Sequence, residues 1–278
     1  MIKYPQTKIE VSTVNIDSIC DALSKIKYPP RAVYHFGLTD STSRQARLDT
    51  NARDPHSMRR IPHGTGELFV ADGQSAGRGR LDRSFISVTG AGLYMTVRLD
   101  GAFVKHPESL TPTVAVATAD AIKNITGTTP GIKWVNDLYL NEKKLAGILC
   151  ESHLEDNERY YLIGIGVNLK STPRGAPVDE IATDLEAAGF RIDAEELLAL
   201  IYERLIALLA ADIPPLEEYR ARSILTDRRV LVSDGKERSY FATVRGIKDD
   251  FSLSVVTECG EERSLSFGEV SLRIDNYN

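Results

Sequence analysis

A short segment rich in glycine and arginine, residues 71–83, carries the clearest chemical signal in the sequence. Two of its glycines, Gly77 and Gly79, allow the backbone to adopt unusual conformations and to approach a ligand closely. Its arginines can each donate paired, charge-assisted hydrogen bonds to carboxylate or phosphate oxygens; they are Arg78, Arg80 and Arg83. A loop of this composition suits a ligand that carries several negative charges.

The same segment allows other interpretations. A solvated, flexible loop has a similar composition, and interleaved arginine and glycine also occur in RNA-binding segments. Residues 73–77 match the G-x-S-x-G pattern of a serine-hydrolase elbow, but that turn must open a helix. Because Arg78-Gly79-Arg80 is a poor helix start, the sequence disfavours a serine hydrolase and leaves the other interpretations open.

A second group of polar residues lies in two strand-like runs, residues 133–137 and 144–149, which a turn at Asn141-Glu142 would join. Lys133 and Lys144 are cations on otherwise apolar ribbons. Gly147 would allow close backbone approach. In the alternative interpretation, Trp134, the only tryptophan of the chain, is a core residue and the two lysines are charges at strand edges.

Carboxylate and amide oxygens that suit Mg²⁺ occur in the same region. They belong to Asn136, Asp137 and, later in the chain, Asn168. Asp137 at a strand turn could equally make a structural hydrogen bond, so each of these residues alone is a weak signal for a metal.

Several common catalytic signatures are missing from the sequence. It contains no G-x-x-x-x-G-K-[ST] phosphate loop, and Gly64-Thr65-Gly66 and Gly164-Ile165-Gly166 both lack the third glycine of a dinucleotide fingerprint. The five histidines include no H-E-x-x-H pair. Three widely spaced cysteines, Cys20, Cys150 and Cys259, favour neither a disulfide framework nor a zinc site.

The overall composition is that of a globular protein, with 278 residues, 42% hydrophobic and 26% charged. A net charge of -5 offers no general positive surface for duplex nucleic acid or an anionic membrane. There is no apolar run long enough to span a membrane and no secretory signal at the start. We therefore predict a cytoplasmic protein that binds neither DNA nor membranes.

The elements that must position these residues follow an α+β pattern. Strand-like runs mostly follow one another without intervening helices, which favours a mixed sheet with packed helices over a doubly wound sheet. The segment from residue 44 to 65 is predicted to be an exposed loop, or a frayed helix followed by a loop. Predicted strands are residues 67–71, 92–99, 131–135, 137–140, 145–153 and 160–167; predicted helices are residues 17–27, 110–125, 178–188, 194–211 and 215–224.

The character of the chain changes after Arg228. Five short strand-like runs with turns between them predict a small β-barrel. They are residues 230–232, 239–245, 253–257, 263–267 and 270–274, with one turn at Asp234-Gly235. We therefore predict two domains, residues 1–226 and 227–278.

Taken in order, these clusters resemble the catalytic domain of biotin protein ligases. The resemblance covers most of the chain and implies a class II synthetase-like, biotin/lipoate ligase catalytic domain followed by a small SH3-like barrel. Six motifs carry it: Asp40-Ser41-Thr42-Ser43, Asp72 to Arg80, Gly90-Ala91-Gly92-Leu93-Tyr94, Lys133-Trp134-Val135-Asn136-Asp137, Lys144 to Leu149, and Gly164-Ile165-Gly166-Val167-Asn168.

The resemblance implies an enzyme that adenylates biotin with ATP and then transfers biotin to a lysine. Arg80 and Lys144 would be the catalytic cations, and Asp137 a metal ligand for Mg²⁺. The biotin-binding residues would be Ser41, Thr42, Ser43, Gln74, Arg78, Gly79, Arg80, Lys144 and Gly147. The ATP-binding residues would be Arg80, Arg83, Phe85, Asn136, Lys144 and Asn168.

The acceptor implied by the resemblance is the biotin carboxyl carrier domain of acetyl-CoA carboxylase or a related carboxylase. We expect a monomer or homodimer without an N-terminal DNA-binding domain. A lipoate-protein ligase and a non-catalytic biotin-binding or sensor protein are the alternatives. The chain departs from the family pattern at Ser43, Asp82, Phe85, Gly92 and Val135, where the family usually has Asn, Gly, Trp, Asn and Pro; Asp82 would pair with Arg80 or Arg83, or point to solvent.

Overall fold

The computed structural model describes residues 15–48, 53–81, 83–233, 239–266 and 271–274. The helices are α1 Ile16–Leu23, α2 Thr42–Arg47, α3 Leu110–Thr126, α4 Val178–Ile181, α5 Ala194–Ala210 and α6 Leu216–Ala221. The strands are β1 Ala32–Thr39, β2 Ser57–Arg60, β3 Glu67–Gln74, β4 Gly92–Asp100, β5 Gly131–Lys133, β6 Asp137–Leu140, β7 Lys143–Glu155, β8 Glu158–Asn168, β9 Arg229–Ser233, β10 Ser239–Ile247, β11 Leu253–Thr257, β12 Glu262–Leu265 and β13 Ser271–Ile274. None of the described helices is long and apolar enough to cross a membrane.

Eight strands form one mixed sheet in the order β2-β1-β3-β4-β8-β7-β6-β5. β1 and β3 run parallel, and the other neighbours are antiparallel. Apolar side chains of α1, α3 and α5 join one large hydrophobic cluster with the sheet, and a smaller cluster includes Ala46 of α2. The predicted α+β class, with a mixed sheet and packed helices, is confirmed.

Local sequence explains where several elements begin and end. The Asp193 carboxylate accepts hydrogen bonds from the N–H groups of Glu195 and Glu196 and so caps α5. Gly127 ends α3 with a φ of 72°, which glycine adopts without steric cost. Asn141 and Glu142 have positive φ values between β6 and β7, and this confirms the predicted hairpin turn.

Two strands and several boundaries differ from the sequence prediction. β1 was not predicted, because residues 32–36 are all buried and show no alternation of polar and apolar side chains. β2 pairs with β1 inside the segment predicted as a loop. The predicted helix over residues 178–188 is wrong beyond Ile181. The chain leaves the helix there, and Ala182 forms an isolated β-bridge with Lys144.

Five short strands after α6 form an antiparallel sheet in the order β12-β11-β10-β9-β13. This confirms the five predicted strands, while residues 234–238, 267–270 and 275–278 lie outside the described part of the chain, together with the predicted Asp234-Gly235 turn. The closure of these strands into a barrel and the domain boundary at residue 226 stay predictions.

The C-terminal sheet packs against the region that carries the second polar cluster. The indole Nε1 of Trp134 donates to the carbonyl oxygen of Phe251 at 2.9 Å. The rings of Tyr219 and Phe251 meet edge to face with centroids 5.8 Å apart. Apolar residues of both sheets belong to one cluster, so the smaller sheet supports the turn between β5 and β6.

Candidate active site

One cleft of about 1230 Å³ collects all of the residues that the sequence analysis assigned to a site. Their individual roles stay predictions, but the fold brings them together from distant parts of the chain. The lining includes Ser41, Thr42, Ser43, Gln74, Arg78, Gly79, Arg80, Arg83, Phe85, Asn136, Asp137, Lys144, Gly147 and Asn168.

The glycine- and arginine-rich segment forms a strand end and a returning loop. Isolated bridges join Gln74 with Ser87 and Arg78 with Ser84, and the Phe85 N–H donates to the Gly77 carbonyl oxygen at 2.8 Å. No helix begins among the described residues of this loop, so the hydrolase-elbow geometry is absent there. Asp82 lies outside the described residues.

The carboxamide of Gln74 lies at one part of the cleft wall. Its Oε1 accepts from the backbone N–H of Thr42 at 2.9 Å and from the Thr42 hydroxyl at 3.2 Å. Its Nε2 donates to the Ser87 hydroxyl at 2.8 Å. The amide is thus fixed by partners on both sides before any ligand arrives.

Sequence reasoning did not identify Thr96, which lies beneath these residues on β4. Its side chain is fully buried, and its Oγ1 lies 2.8 Å from Thr42 Oγ1 and 3.1 Å from Ser43 Oγ. The strand also contains Arg98 and Asp100, so a single threonine in it gave no distinct signal. Thr96 connects two of the predicted biotin-binding hydroxyls.

The ring of Phe85 packs against the backbone of two neighbouring strands. Gly147 of β7 and Gly166 of β8 are directly paired. A Cβ atom on Gly166 would lie 2.6 Å from Phe85 Cε1, and one on Gly147 would lie 3.1 Å from Phe85 Cε2. Phe85 also contacts Tyr94 edge to face at 6.4 Å between centroids. The glycines therefore make the room that this aromatic surface occupies.

Arg80 lies partly buried in the cleft with unused hydrogen-bonding capacity. Its Nη1 donates to Asn136 Oδ1 at 3.3 Å. Its buried Nη2 has no hydrogen-bond partner among the described residues. Burial lowers the pKa of the Arg80 guanidinium, and the Asp137 carboxylate opposes that shift. An arginine keeps its charge under such a shift, so Arg80 offers a positive, unpaired donor to a ligand.

Lys144 holds a second positive charge against the same cleft. Its Nζ lies 2.7 Å from Asp137 Oδ1 and 5.9 Å from the centroid of the Phe85 ring. Both members of the ion pair keep part of their surface exposed. Asp137 therefore forms an ion pair with Lys144 in this structure. A metal ion bound by Asp137, as predicted, would have to compete with Lys144 for the same carboxylate.

The two predicted asparagines are each held by a main-chain carbonyl group. Asn136 Nδ2 donates to Ile148 O at 2.8 Å, and Asn168 Nδ2 donates to Thr183 O at 2.9 Å. These contacts orient both amides by their nitrogens. The described residues contain no group of three or more His, Cys, Asp or Glu side chains arranged to hold a metal.

The remaining loop arginines have different surroundings. Arg78 Nη1 lies 3.1 Å from the Glu151 carboxylate, which also pairs with Arg47. Arg83 is exposed at the edge of the cleft. The Arg78 side chain is thus tied to β7, and Arg83 reaches solvent.

Besides Phe85, three departures from the resemblance can be located in the fold. Gly92 pairs with Asn168 across β4 and β8. Ser43 contacts Thr96 as described above, and Val135 follows a cis peptide bond after Trp134. Both Trp134 and Val135 are buried, so the tryptophan is a core residue as the alternative interpretation held.

Comparison with known proteins agrees with this arrangement. Residues 44–168 match the Biotin/lipoate A/B protein ligase family. The chain is 33% identical to the bifunctional ligase/repressor BirA of Bacillus subtilis (strain 168) over 232 residues, which is 79% of this chain and 70% of that protein. The chain belongs to the biotin/lipoate A/B protein ligase family.

Other family members support the assignment. A biotin--[acetyl-CoA-carboxylase] ligase of Mycobacterium tuberculosis is 29% identical over 198 residues, covering 68% of this chain and 72% of that protein. The solved structure of biotin protein ligase from Aquifex aeolicus in complex with biotin and ATP has a TM-score of 0.71 at 24% identity, over 87% of this chain and 99% of that chain. This structural match confirms the predicted fold class.

Proposed function

We propose that this chain is an ATP-dependent biotin protein ligase. It forms biotinyl-5′-AMP and then transfers biotin to one lysine of a carrier domain. The observation that carries the proposal is a single cleft in which a fixed polar wall at Gln74, an aromatic surface at Phe85 and the cations Arg80 and Lys144 lie together. Family membership and the relatives named as biotin ligases support it.

The first step joins two anions. A biotin carboxylate oxygen attacks the α-phosphorus of ATP, a bond from that phosphorus to the bridging oxygen breaks, and pyrophosphate leaves. Arg80 and Lys144 offset the repulsion between the carboxylate and the phosphates and stabilise the charge in the transition state, because fixed cations act strongly in a water-poor site. The unpaired Nη2 of Arg80 is suited to this role.

The second step forms an amide. The neutral amine of the acceptor lysine attacks the acyl carbon of biotinyl-5′-AMP, the bond to the phosphate oxygen breaks, AMP leaves, and the new amide nitrogen loses a proton. Water would compete for the same carbon, so the loop that carries Arg80 must cover the intermediate. Its tie to β7 through Arg78 and Glu151 supports such a cover.

Biotin recognition rests on hydroxyl and amide groups at the buried wall. Ser41, Thr42, Ser43 and Gln74 supply hydrogen bonds to the ureido ring, and Gly79 and Gly147 allow backbone approach to the ligand. A lipoyl dithiolane ring offers no acceptor to the N–H of Gln74 that its protein partners leave unused, and a buried donor left unpaired costs about 1–3 kcal/mol. This wall favours biotin over lipoate.

The nucleotide would lie against Phe85, with Arg83, Asn136 and Asn168 as further contacts. One carboxylate and two held amides do not make a protein cage for a metal, but they suit Mg²⁺ carried largely by phosphate oxygens. When bound, Mg²⁺ would neutralise phosphate charge, and Asp137 is the residue that would help to hold it. The ion pair of Asp137 with Lys144 would then limit the net charge of the cleft both with and without bound ligands.

The acceptor in this proposal is the biotin carboxyl carrier domain of a carboxylase such as acetyl-CoA carboxylase. The reaction needs ATP and newly made carrier protein, so we propose that it takes place in the cytoplasm. In this proposal the enzyme works as a monomer or a homodimer.

Exchange of labelled pyrophosphate into ATP, measured with biotin, with lipoate and with neither acid, tests this proposal. We expect exchange with biotin only. Exchange that requires lipoate would instead support a lipoate-protein ligase. Biotin binding without exchange would support a non-catalytic biotin-binding protein.

A further inference from the structure

Two buried hydroxyl groups, those of Thr96 and Ser87, lie outside the assigned site residues yet contact them directly. Thr96 touches Thr42 and Ser43, and Ser87 touches Gln74 and the Phe85 carbonyl oxygen. Their side chains are buried. What these contacts do depends on the direction in which each hydrogen bond runs.

The direction at Ser87 follows from counting protons. A hydroxyl group has one proton, and the Phe85 carbonyl oxygen 3.1 Å away can only accept. The Ser87 hydroxyl therefore donates to Phe85 and must accept from Gln74, so the Gln74 atom at 2.8 Å is the nitrogen.

The other side of Gln74 gives the same orientation independently. The Thr42 backbone N–H can only donate, so the Gln74 atom that it contacts at 2.9 Å is the oxygen. Amide orientation is often an assignment rather than an observation, but here two one-way partners agree. Gln74 Oε1 has both lone pairs occupied by Thr42, and Nε2 keeps one N–H for a ligand.

The same counting extends the sequence of bonds through Thr96. The Thr42 hydroxyl donates to Gln74 Oε1, so toward Thr96 it can only accept, and Thr96 donates to it. Thr96 then accepts from the Ser43 hydroxyl at 3.1 Å. All of the bonds run one way, from Ser43 through Thr96, Thr42, Gln74 and Ser87 to the carbonyl oxygen of Phe85.

This chain of hydrogen bonds joins the two halves of the cleft. Its first members form the polar wall, and its last member holds the main chain that bears the Phe85 ring, whose N–H is held in turn by Gly77. The ring has little freedom because it packs against Gly166. A ligand that pulls on Gln74 therefore acts on Phe85 through Ser87.

We propose that Ser87 is a positioning residue that couples the biotin and nucleotide subsites, and that Thr96 is a positioning residue for the biotin subsite alone. This inference rests on the proposed function. Removing the Ser87 hydroxyl interrupts the side-chain connection between Gln74 and Phe85, whereas the backbone bridge between Gln74 and Ser87 remains. Removing the Thr96 hydroxyl leaves the Thr42 hydroxyl able to donate to Gln74, so that connection survives.

The test is calorimetric titration of the full chain with biotin, with and without α,β-methylene-ATP, whose α–β bridge cannot be cleaved. The ratio of the two biotin Kd values measures the coupling, and it must equal the ratio obtained in the reverse order. We compare the parent with Ser87→Ala, Ser87→Cys, Thr96→Val and Ser24→Ala. Ser24 is an exposed serine outside the cleft lining and serves as the matched control.

In the parent we expect the ratio of the two biotin Kd values to differ clearly from 1. Ser87→Ala and Ser87→Cys should each bring that ratio at least about five-fold closer to 1. Cysteine fills the same space with a weak hydrogen-bonding group, so it separates bonding from packing and replaces the alanine variant if that variant does not fold. Thr96→Val should weaken biotin binding about five- to ten-fold with the ratio unchanged. Ser24→Ala should match the parent.

A parent ratio of 1, or a Ser87 variant that keeps the parent ratio, would overturn the coupling role. Normal biotin affinity in Thr96→Val would overturn the role of Thr96. A folded parent that binds neither biotin nor the nucleotide contradicts the proposed function itself, and the inference falls with it.

Discussion

Arg80 and Lys144 differ in what holds them in the cleft. Lys144 has a carboxylate 2.7 Å from its Nζ, whereas Arg80 has one amide contact and a buried Nη2 without a hydrogen-bond partner in the described part of the chain. A buried donor without a partner is costly unless a ligand supplies one. Arg80 is therefore the residue whose removal should affect the bound intermediate most directly.

We expect Arg80→Ala to release biotinyl-5′-AMP faster than the parent. A lost charge-assisted hydrogen bond costs about 1.5–3 kcal/mol, which corresponds to roughly ten- to hundred-fold faster release. Retention of isotope-labelled adenylate during gel filtration measures it. Arg191→Ala, at an exposed arginine outside the cleft lining, is the control; equal retention in Arg80→Ala and the parent would contradict the role.

The cysteines offer a prediction that does not depend on catalysis. Burial raises the pKa of the Cys150 thiol to about 12 and also raises the pKa of Cys20. The hydroxyl of Thr257 beside Cys259 lowers the pKa of that exposed thiol. Because the thiolate is the reactive form, iodoacetamide at pH 8 should modify Cys259 first.

Peptide mass mapping over time measures the order of modification, and we expect Cys259 to react about ten-fold faster or more. Cys259→Ser should remove the fast phase, whereas Cys150→Ser should leave it. Earlier modification of Cys150 or Cys20 would show that the described burial is wrong.

At this scale, residue type and spacing pointed to the arginines, lysine and amides that line the cleft, such as Arg80, Lys144 and Asn136. The polar wall at Ser41, Thr42, Ser43 and Gln74 and the ring of Phe85 were assigned only through the family resemblance. Thr96 and Ser87 were not found. A single hydroxyl residue gives no pattern of spacing in the sequence. The role of each of these hydroxyls depends on its hydrogen bonds to residues on other elements.

The paired glycines of β7 and β8 act at the scale of elements. Gly147 and Gly166 face each other in register and leave the space in which the Phe85 ring lies. Larger residues at these positions would still permit both strands to form, because the ladder uses backbone groups alone. Glycine is therefore required at these two positions by the Phe85 ring in the cleft and not by the strands themselves.

We expect Gly166→Ala to weaken ATP binding with little loss of fold. Its Cβ would lie 2.6 Å from Phe85 Cε1, so the ring must move, at a cost of about 1–3 kcal/mol, or roughly ten-fold or more in Kd. Calorimetry with α,β-methylene-ATP measures this. Gly37→Ala, whose Cβ would meet nothing closer than 4.0 Å, is the matched control; equal affinity in both would remove Phe85 from the nucleotide subsite.

Elements with clear periodicity or turn residues were predictable, and elements defined by tertiary contacts were not. The β6–β7 hairpin was found through Asn141 and Glu142, and α3 and α5 through their apolar spacing. β1 was missed because it is buried on both faces, and the predicted helix after Val178 was too long because Ala182 bridges Lys144. Both misses arise from contacts distant in sequence.

At the scale of the whole molecule, the C-terminal sheet supports the cleft from outside. Phe251 is buried between Trp134, to which its carbonyl oxygen is bonded, and the Tyr219 ring. The Tyr219 hydroxyl donates in turn to Val135 O at 3.2 Å. These contacts fix the turn that leads to Asn136 and Asp137, so the smaller sheet contributes to the site without lining much of it.

Phe251→Ala should therefore lower both stability and activity. Removing a buried phenylalanine costs about 3–5 kcal/mol, which chemical denaturation measures as a lower free energy of unfolding. We expect biotin-dependent exchange to fall as well, under conditions in which the variant remains folded. Phe103→Ala, at a half-exposed phenylalanine, should change neither; unchanged stability in Phe251→Ala would contradict the described interface.

The most direct test of the central claim is transfer of biotin to an acceptor lysine. Purified chain, ATP, Mg²⁺ and biotin are incubated with an unmodified biotin carboxyl carrier domain, and the intact mass of the carrier is followed, with a carrier whose acceptor lysine is replaced by arginine as control. We predict that the carrier gains one biotinyl group at that lysine and that the control gains none. A carrier that stays unmodified, or one that is modified only when lipoate replaces biotin, would contradict the account.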